Sequence, residues 1–285
     1  MSPSTQKYHF ISGLPRSGST LLAAILLQNP RFHAGMTSPV GALFNAVLAQ
    51  VSAGSEFAPM VSTEQRRALL LGLFSSYYQA QADKGVIFDT NRHWCAKLPM
   101  VLDLFPNAKV IVCVRNVAWV MDSIERLYRA NPYENTRLFG NAARSTVYNR
   151  LEGLAQHDNL VGFAWSALRE AFYGENAKSL LVIDYDLLTQ APEKVLPLVY
   201  RFIGEEPFAH DFNNVSYDAH DFDIQLGAPG LHKVRSKVEY KERRTVMPPD
   251  LFEKFSKLSF WNDTAGSQAN VVTANTPDSA KGNTP

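Results

Sequence analysis

The stretch Lys7-Tyr8-His9-Phe10-Ile11-Ser12-Gly13-Leu14-Pro15-Arg16-Ser17-Gly18-Ser19-Thr20-Leu21-Leu22 runs from one apolar segment to another across a turn of glycine, proline and hydroxyl residues. Phe10-Ile11-Ser12 ends a short strand that starts near Lys7, and Gly13 breaks it. From Gly18 to Gln28 the apolar spacing predicts a helix, closed by Asn29-Pro30. The turn keeps the spacing Gly-x-x-x-x-Gly followed by two residues that open the helix. Glycines let such a backbone wrap an anion, and the unpaired N–H groups at the helix start point into the wrap.

Outward from this turn, strands alternate with helices. Strands are expected at Val86–Asp89, Ala108–Val114 and Ser179–Asp184. The run Ala108-Lys109-Val110-Ile111-Val112-Cys113-Val114 is nearly all apolar, as in a strand covered on both faces of a parallel sheet. Helices are expected at Val40–Ala53, Thr63–Asp83, Trp94–Phe105, Asn116–Ala130, Leu151–Tyr173 and Pro192–Ile203. This order predicts an α/β fold: a central parallel β-sheet of the phosphate-loop type, flanked by helices and joined by right-handed crossovers, with helical inserts on one side. Residues 1–262 read as one domain. After Asn262 the chain turns to Ser, Thr, Asn, Ala and Gly, which predicts a disordered tail over residues 263–285.

Composition narrows the partners. The 285 residues carry 28 basic and 27 acidic side chains, a balance that argues against nucleic acid as the main partner, so any anion site must be local. Cys95 and Cys113 are too few to frame a disulfide scaffold and read as reduced thiols. The N-terminus lacks the basic-then-apolar order of a signal peptide, and Leu21–Leu27 is too short to cross a bilayer. A cytoplasmic chain without membrane insertion is expected. The sequence leaves the oligomeric state open.

Where ATP-using loops carry a lysine, this one has Ser19, and Arg16 stands inside the turn. That exchange suits a donor with a single 5′-phosphate and a singly charged terminal group, as in 3′-phosphoadenosine-5′-phosphosulfate (PAPS). The residues Pro15-Arg16-Ser17-Gly18-Ser19-Thr20-Leu21-Leu22 resemble the 5′-phosphosulfate loop of the sulfotransferase superfamily. They are closest to the Pro-Arg-Ser-Gly-[Ser/Thr]-Thr form of tyrosylprotein, carbohydrate-type and many bacterial members. Arg115 at the end of a strand, with Ser123 eight residues on, resembles the family's 3′-phosphate signature. Tyr185-Asp186-Leu187-Leu188 resembles its Tyr-Glu-Asp-Leu segment. Gly227-Ala228-Pro229-Gly230-Leu231-His232-Lys233 resembles the late Gly-x-x-Gly-x-x-Lys element, with Gln225-Leu226 in place of the usual Arg-Lys pair.

What the resemblance implies is a PAPS-dependent sulfotransferase acting without metal on a hydroxyl or amine of a small-molecule acceptor. Arg16, Ser17, Gly18, Ser19, Thr20, Arg115, Ser123, Tyr185, Gly230 and Lys233 would hold the donor, with Arg235 a further source of positive charge. Arg92 is the best match to the lysine that assists the leaving group. No glutamate stands where tyrosylprotein enzymes have their base, and His93 is the preferred candidate, with Asp89 and His33 as alternates. The acceptor pocket is expected from Met36–Gln81 and Tyr128–Trp165, whose aromatic and apolar content favours an aromatic or amphipathic molecule. Two other readings stay open: a phosphate-loop kinase of a small metabolite, and a non-catalytic binder of adenosine 3′,5′-bisphosphate.

Overall fold

Residues 6–131, 133 and 145–272 are described by a computed structural model. Its frame is a six-stranded sheet in the order β2-β3-β1-β4-β5-β6, formed by Phe32–Ala34 (β2), Val86–Thr90 (β3), Lys7–Gly13 (β1), Val110–Val114 (β4), Leu180–Asp184 (β5) and Asn270–Val272 (β6). Every pairing is parallel. β3 and β4 flank β1 in the register Phe10↔Asp89 and Gly13↔Cys113. The strand order therefore reverses direction at β1, and a crevice opens at its carboxyl end.

The period-2 alternation of the strands divides the core. Phe10, Val110, Val112, Leu180 and Val182 face one helical layer, and Ile11, Ile111, Cys113, Leu181 and Ile183 face the other. The first layer contains Val40–Val51 (α2), Thr63–Tyr77 (α3), His93–Ala96 (α4), Leu98–Leu104 (α5), Val117–Ala130 (α6), Val147–Ala155 (α7), Leu160–Tyr173 (α8) and Pro249–Ser256 (α12). The second is built on Ser19–Leu26 (α1) and Pro192–Ile203 (α10). Tyr185–Gln190 (α9) and His220–Gln225 (α11) follow the carboxyl end of β5 and lead to the crevice. The α/β class and its parallel sheet are thus as the sequence predicts.

Several boundaries differ. The helix expected over Trp94–Phe105 breaks at Lys97, because Pro99 cannot continue an N–H ladder and instead sits in the first turn of α5. The helix expected over Leu151–Tyr173 divides into α7 and α8, whose junction is so close that a Cβ on Gly162 would lie 2.1 Å from the carbonyl oxygen of Gln156. α3 stops at Tyr77, six residues short of the expected end.

The tail reading needs the larger correction. The chain beyond Asn262 stays ordered as far as Val272, where β6 adds to the open edge of β5 in the register Leu181↔Asn270 to Ile183↔Val272. Asn270 Nδ2 donates to the carbonyls of Lys178 (3.2 Å) and Leu180 (3.1 Å), and Val272 is buried. The remainder of the expected tail, residues 273–285, lies outside the described residues. Burial of one valine and part of a second stabilises by roughly 2–3 kcal/mol. A chain ending at Ala265 is therefore expected to melt roughly 4–8 °C below the parent in a thermal scan. A shift under about 1 °C would show that β6 contributes nothing.

Candidate active site

The turn after β1 is built by two close approaches. Gly13 has φ 111°, and a Cβ there would lie 2.1 Å from the carbonyl oxygen of Cys113. Gly18 has φ 93°, and its Cβ would meet the Tyr185 ring at 2.7 Å. Both positions exclude any side chain, and the second presses the loop against α9. Between them Arg16 takes the left-handed conformation, φ 59°, the only non-glycine residue with positive φ among those described. This backbone turns its guanidinium across the crevice, and Arg16 Nε donates to Ser123 Oγ at 3.1 Å.

That contact joins residues 107 positions apart and brings the two expected halves of the donor site together. Arg115 leaves β4 at its carboxyl end and lies over the Tyr185 ring, 4.3 Å from guanidinium carbon to centroid. Its Nε has no hydrogen-bond partner and is 3.9 Å from Asp186 Oδ1, which is equally unpaired. The first N–H groups of α1 have no carbonyl within the helix to bond. Burial first, then Arg115 and Arg243 nearby, push the Arg16 guanidinium below its ordinary pKa while Asp223 works the other way; it stays a cation at any physiological pH.

These groups open into one cleft of about 1330 Å³. Arg16, Gly18, Ser19, Thr20, Arg92, His93, Arg115, Ser123, Tyr185, Gly230 and Lys233 all line it. Ser17 is the exception. Its hydroxyl turns inward to the carbonyls of Leu14 and Cys113, the latter at 2.7 Å, so the buried side chain holds the loop's shape and does not line the cleft.

The opposite wall stands at the end of β3. Asp89 is buried and accepts from Ser38 Oγ (2.6 Å), Tyr78 OH (2.7 Å) and Trp94 Nε1 (2.8 Å). It ties α2, α3 and α4 to the strand and has no face on the cleft, which removes it as a candidate base. Asn91 N donates to Ile11 O (3.0 Å), and Asn91 Oδ1 accepts from His93 N (3.1 Å), so Arg92 and His93 are set at the rim by backbone bonds. Arg92 is exposed to the cleft. His93 packs its ring edge on Phe163 at 5.0 Å; burial first, then Arg92 and Lys97, hold it below its usual pKa and neutral near pH 7. His33 lies on β2 against Tyr78, outside the cleft.

The acceptor side is smaller than expected. Of Met36–Gln81 only Met36 and Thr37 reach the cleft; Leu43, Met60, Leu69 and Tyr77 border a separate groove of about 760 Å³ between α2 and α3. From Tyr128–Trp165 the contributors are Asp158, Asn159, Leu160 and Phe163, while residues 134–144 lie outside the described residues. Both thiols are inert: burial raises Cys95 to about 11 and Cys113 to about 12.

Sequence reasoning missed Arg243 and the pair Asp223–His232. Buried Asp122 accepts from Arg126 Nε (2.8 Å), Thr245 Oγ1 (2.9 Å) and Val246 N (2.8 Å), and it pairs with Arg243 at 3.0 Å. It thereby pins Arg243 beside the cleft. A carboxylate one residue before Ser123, on the inner face of α6, was the available signal.

The sulfotransferase domain of the olefin synthase from Synechococcus PCC 7002 is 20% identical, with 92% of this chain and 98% of that one covered and a TM-score of 0.46. Mouse sulfotransferase SULT7A1, solved complexed with PAP, gives 16%, 93%, 90% and 0.49 in the same order. Sulfotransferase STF9 from Mycobacterium avium gives 14%, 90%, 77% and 0.47. None of the curated proteins matches this sequence. The model of one family, described as the sulfotransferase family, matches residues 9–210, from within β1 through both phosphate-binding candidates to beyond the end of α10. That span covers most of the chain and contains Arg16, Arg92, Arg115, Ser123 and Tyr185, so the protein belongs to the sulfotransferase family.

Proposed function

We propose that this sulfotransferase moves the sulfuryl group of PAPS to a hydroxyl or amine of a small acceptor by in-line displacement, within a single domain of the cytoplasm. The observation that carries the reading is the bond from Arg16 to Ser123, which joins the loop suited to a 5′-phosphosulfate with the α6 hydroxyl that, together with strand-end Arg115, suits a 3′-phosphate. A donor with charge at both ends is what such a doubled site matches. A nucleoside triphosphate would want the lysine that Ser19 replaces.

In transfer the acceptor atom attacks sulfur, and charge gathers on the departing 5′-phosphate oxygens. Arg16 and the N–H groups of Ser17 to Thr20 stabilise that charge at positions fixed before the reaction, so little reorganisation is needed. Arg92 faces the same space without a carboxylate partner among the described residues and serves the leaving oxygen. Arg115 and Ser123 hold the 3′-phosphate, Tyr185 braces Arg115 and Gly18, and Lys233 closes from the other rim. Two neutral imidazoles border the cleft, His93 and His232.

Adenosine 3′,5′-bisphosphate is expected to raise the melting temperature by several degrees at concentrations well above its Kd, through linkage to the folded state. ATP with magnesium should do so far less. Equal shifts would point to a kinase-type site. A radiolabelled PAPS assay across phenols, alcohols, amines and sugars then tests transfer itself; bisphosphate binding without transfer to any of them would favour a non-catalytic binder.

A further inference from the structure

Asp223, within α11, and His232 lie on either side of the turn that follows the helix. Gly227 (φ 63°) and Gly230 (φ 82°) give the turn its left-handed corners, and Ala228 N donates to Asp223 O at 3.0 Å. The Asp223 side chain, 4% exposed, accepts from His232 N at 2.8 Å and from His232 Nδ1 at 2.6 Å. A buried carboxylate on Nδ1 fixes the proton there and leaves the lone pair on Nε2. The ring borders the cleft, with Phe222 packed on it at 5.5 Å. The charged groups that act on it are Asp223 from α11, Arg16 from the loop after β1 and Arg92 from the end of β3. These two arginines are the ones assigned above to the departing 5′-phosphate.

We infer that His232 is the general base of the transfer and Asp223 its positioning residue, an assignment that rests on the sulfotransferase reading above. The acceptor oxygen or nitrogen forms a bond to sulfur. The sulfur–oxygen bond to the 5′-phosphate breaks, its electron pair stays on the phosphate, and the acceptor proton passes to His232 Nε2 and then to water. An imidazolium formed there faces a carboxylate 2.6 Å away. His93 has no such partner: its Nδ1 is buried without a hydrogen bond, and both cations that act on it oppose charging. His93 is left to hold the acceptor. Burial, helped by Arg16 and Arg92, draws His232 below its ordinary pKa while Asp223 works the other way, so the ring is neutral at pH 7 and charges only as pH falls. Activity is therefore lost on the acid side, and removing Asp223 moves that limb to lower pH.

The test uses the full chain, PAPS and whichever panel phenol, alcohol or amine turns over fastest. His232→Gln is expected to lower kcat roughly 100-fold, with adenosine 3′,5′-bisphosphate affinity within about 3-fold of the parent. Asp223→Asn is expected to lower the plateau of kcat by roughly 10-fold and shift the acid limb downward, which a purely structural role would not do. Because Asp223→Asn also removes a buried contact, nitrogen NMR of the labelled parent gives a second reading: at pH 7 one neutral ring in the Nδ1–H form, absent from His232→Gln. A kcat for His232→Gln within about 3-fold of the parent, or an Nε2–H ring, overturns the base assignment and leaves the sulfotransferase reading standing. A parent that neither binds the bisphosphate nor transfers to any acceptor overturns both.

Discussion

Arg16→Ala is expected to lower kcat for sulfuryl transfer by roughly 100- to 1000-fold at saturating PAPS, the range for removing one preorganised donor to developing charge. The guanidinium is held on three sides: by its own φ of 59°, by the bond to Ser123 and by the loop walls that Gly13 and Gly18 bring close. Alanine keeps the left-handed backbone strain that arginine already bears, so the loop's shape is retained and the loss reports the cation. Arg16→Lys keeps a charge but not the planar fork, and should recover part of the rate. Single-turnover measurement with radiolabelled PAPS separates chemistry from release. A kcat within about 3-fold of the parent for Arg16→Ala would show that this cation does not meet the transition state.

Arg115→Ala is expected to weaken binding of adenosine 3′,5′-bisphosphate by roughly 100-fold or more, the scale for truncating one side of a buried charged pair. Its Nε is unpaired in the free protein, and the side chain is only 11% exposed. The substitution also leaves Asp186 without its nearest cation and Tyr185 without the group stacked on it. Calorimetry with adenosine 5′-monophosphate isolates the role proposed here, since that ligand lacks the 3′-phosphate and should bind parent and variant alike. An equal loss for both nucleotides would place Arg115 in support of the loop and not on the 3′-phosphate.

The fold was legible where one signal sufficed. Apolar runs such as Val110–Val114 have one stable setting, a strand covered on both faces, and Gly13 and Gly18 mark a turn that no other residue fits. β6 was hidden because its side chains are few. Its order comes from the backbone groups of β5, an open edge that a sequence does not show, and only about six residues from Ser267 to Val272 must be ordered to reach it. The residues proposed to hold the donor could be singled out because they sit at fixed offsets from strand ends. Asp223–His232 and Arg243 could not, because their meaning depends on which distant segment folds across the cleft. Ser17 shows the converse: a hydroxyl in the right motif whose bonds go to the loop itself.

The cleft gathers like charges in a chain whose overall charge is only +1. Burial first and then Arg115 push Arg16 and Arg243 below their ordinary pKa, and Arg243 also acts against Arg16. These cations repel one another, and the carboxylates of Asp122, Asp186 and Asp223 relieve that repulsion only in part. An anion seated among these cations would add to the stability of the fold. Multivalent buffer ions such as sulfate and phosphate are expected to compete for the same cations, so tolerance to heat and apparent affinity for the proposed donor should trade against each other with the choice of salt.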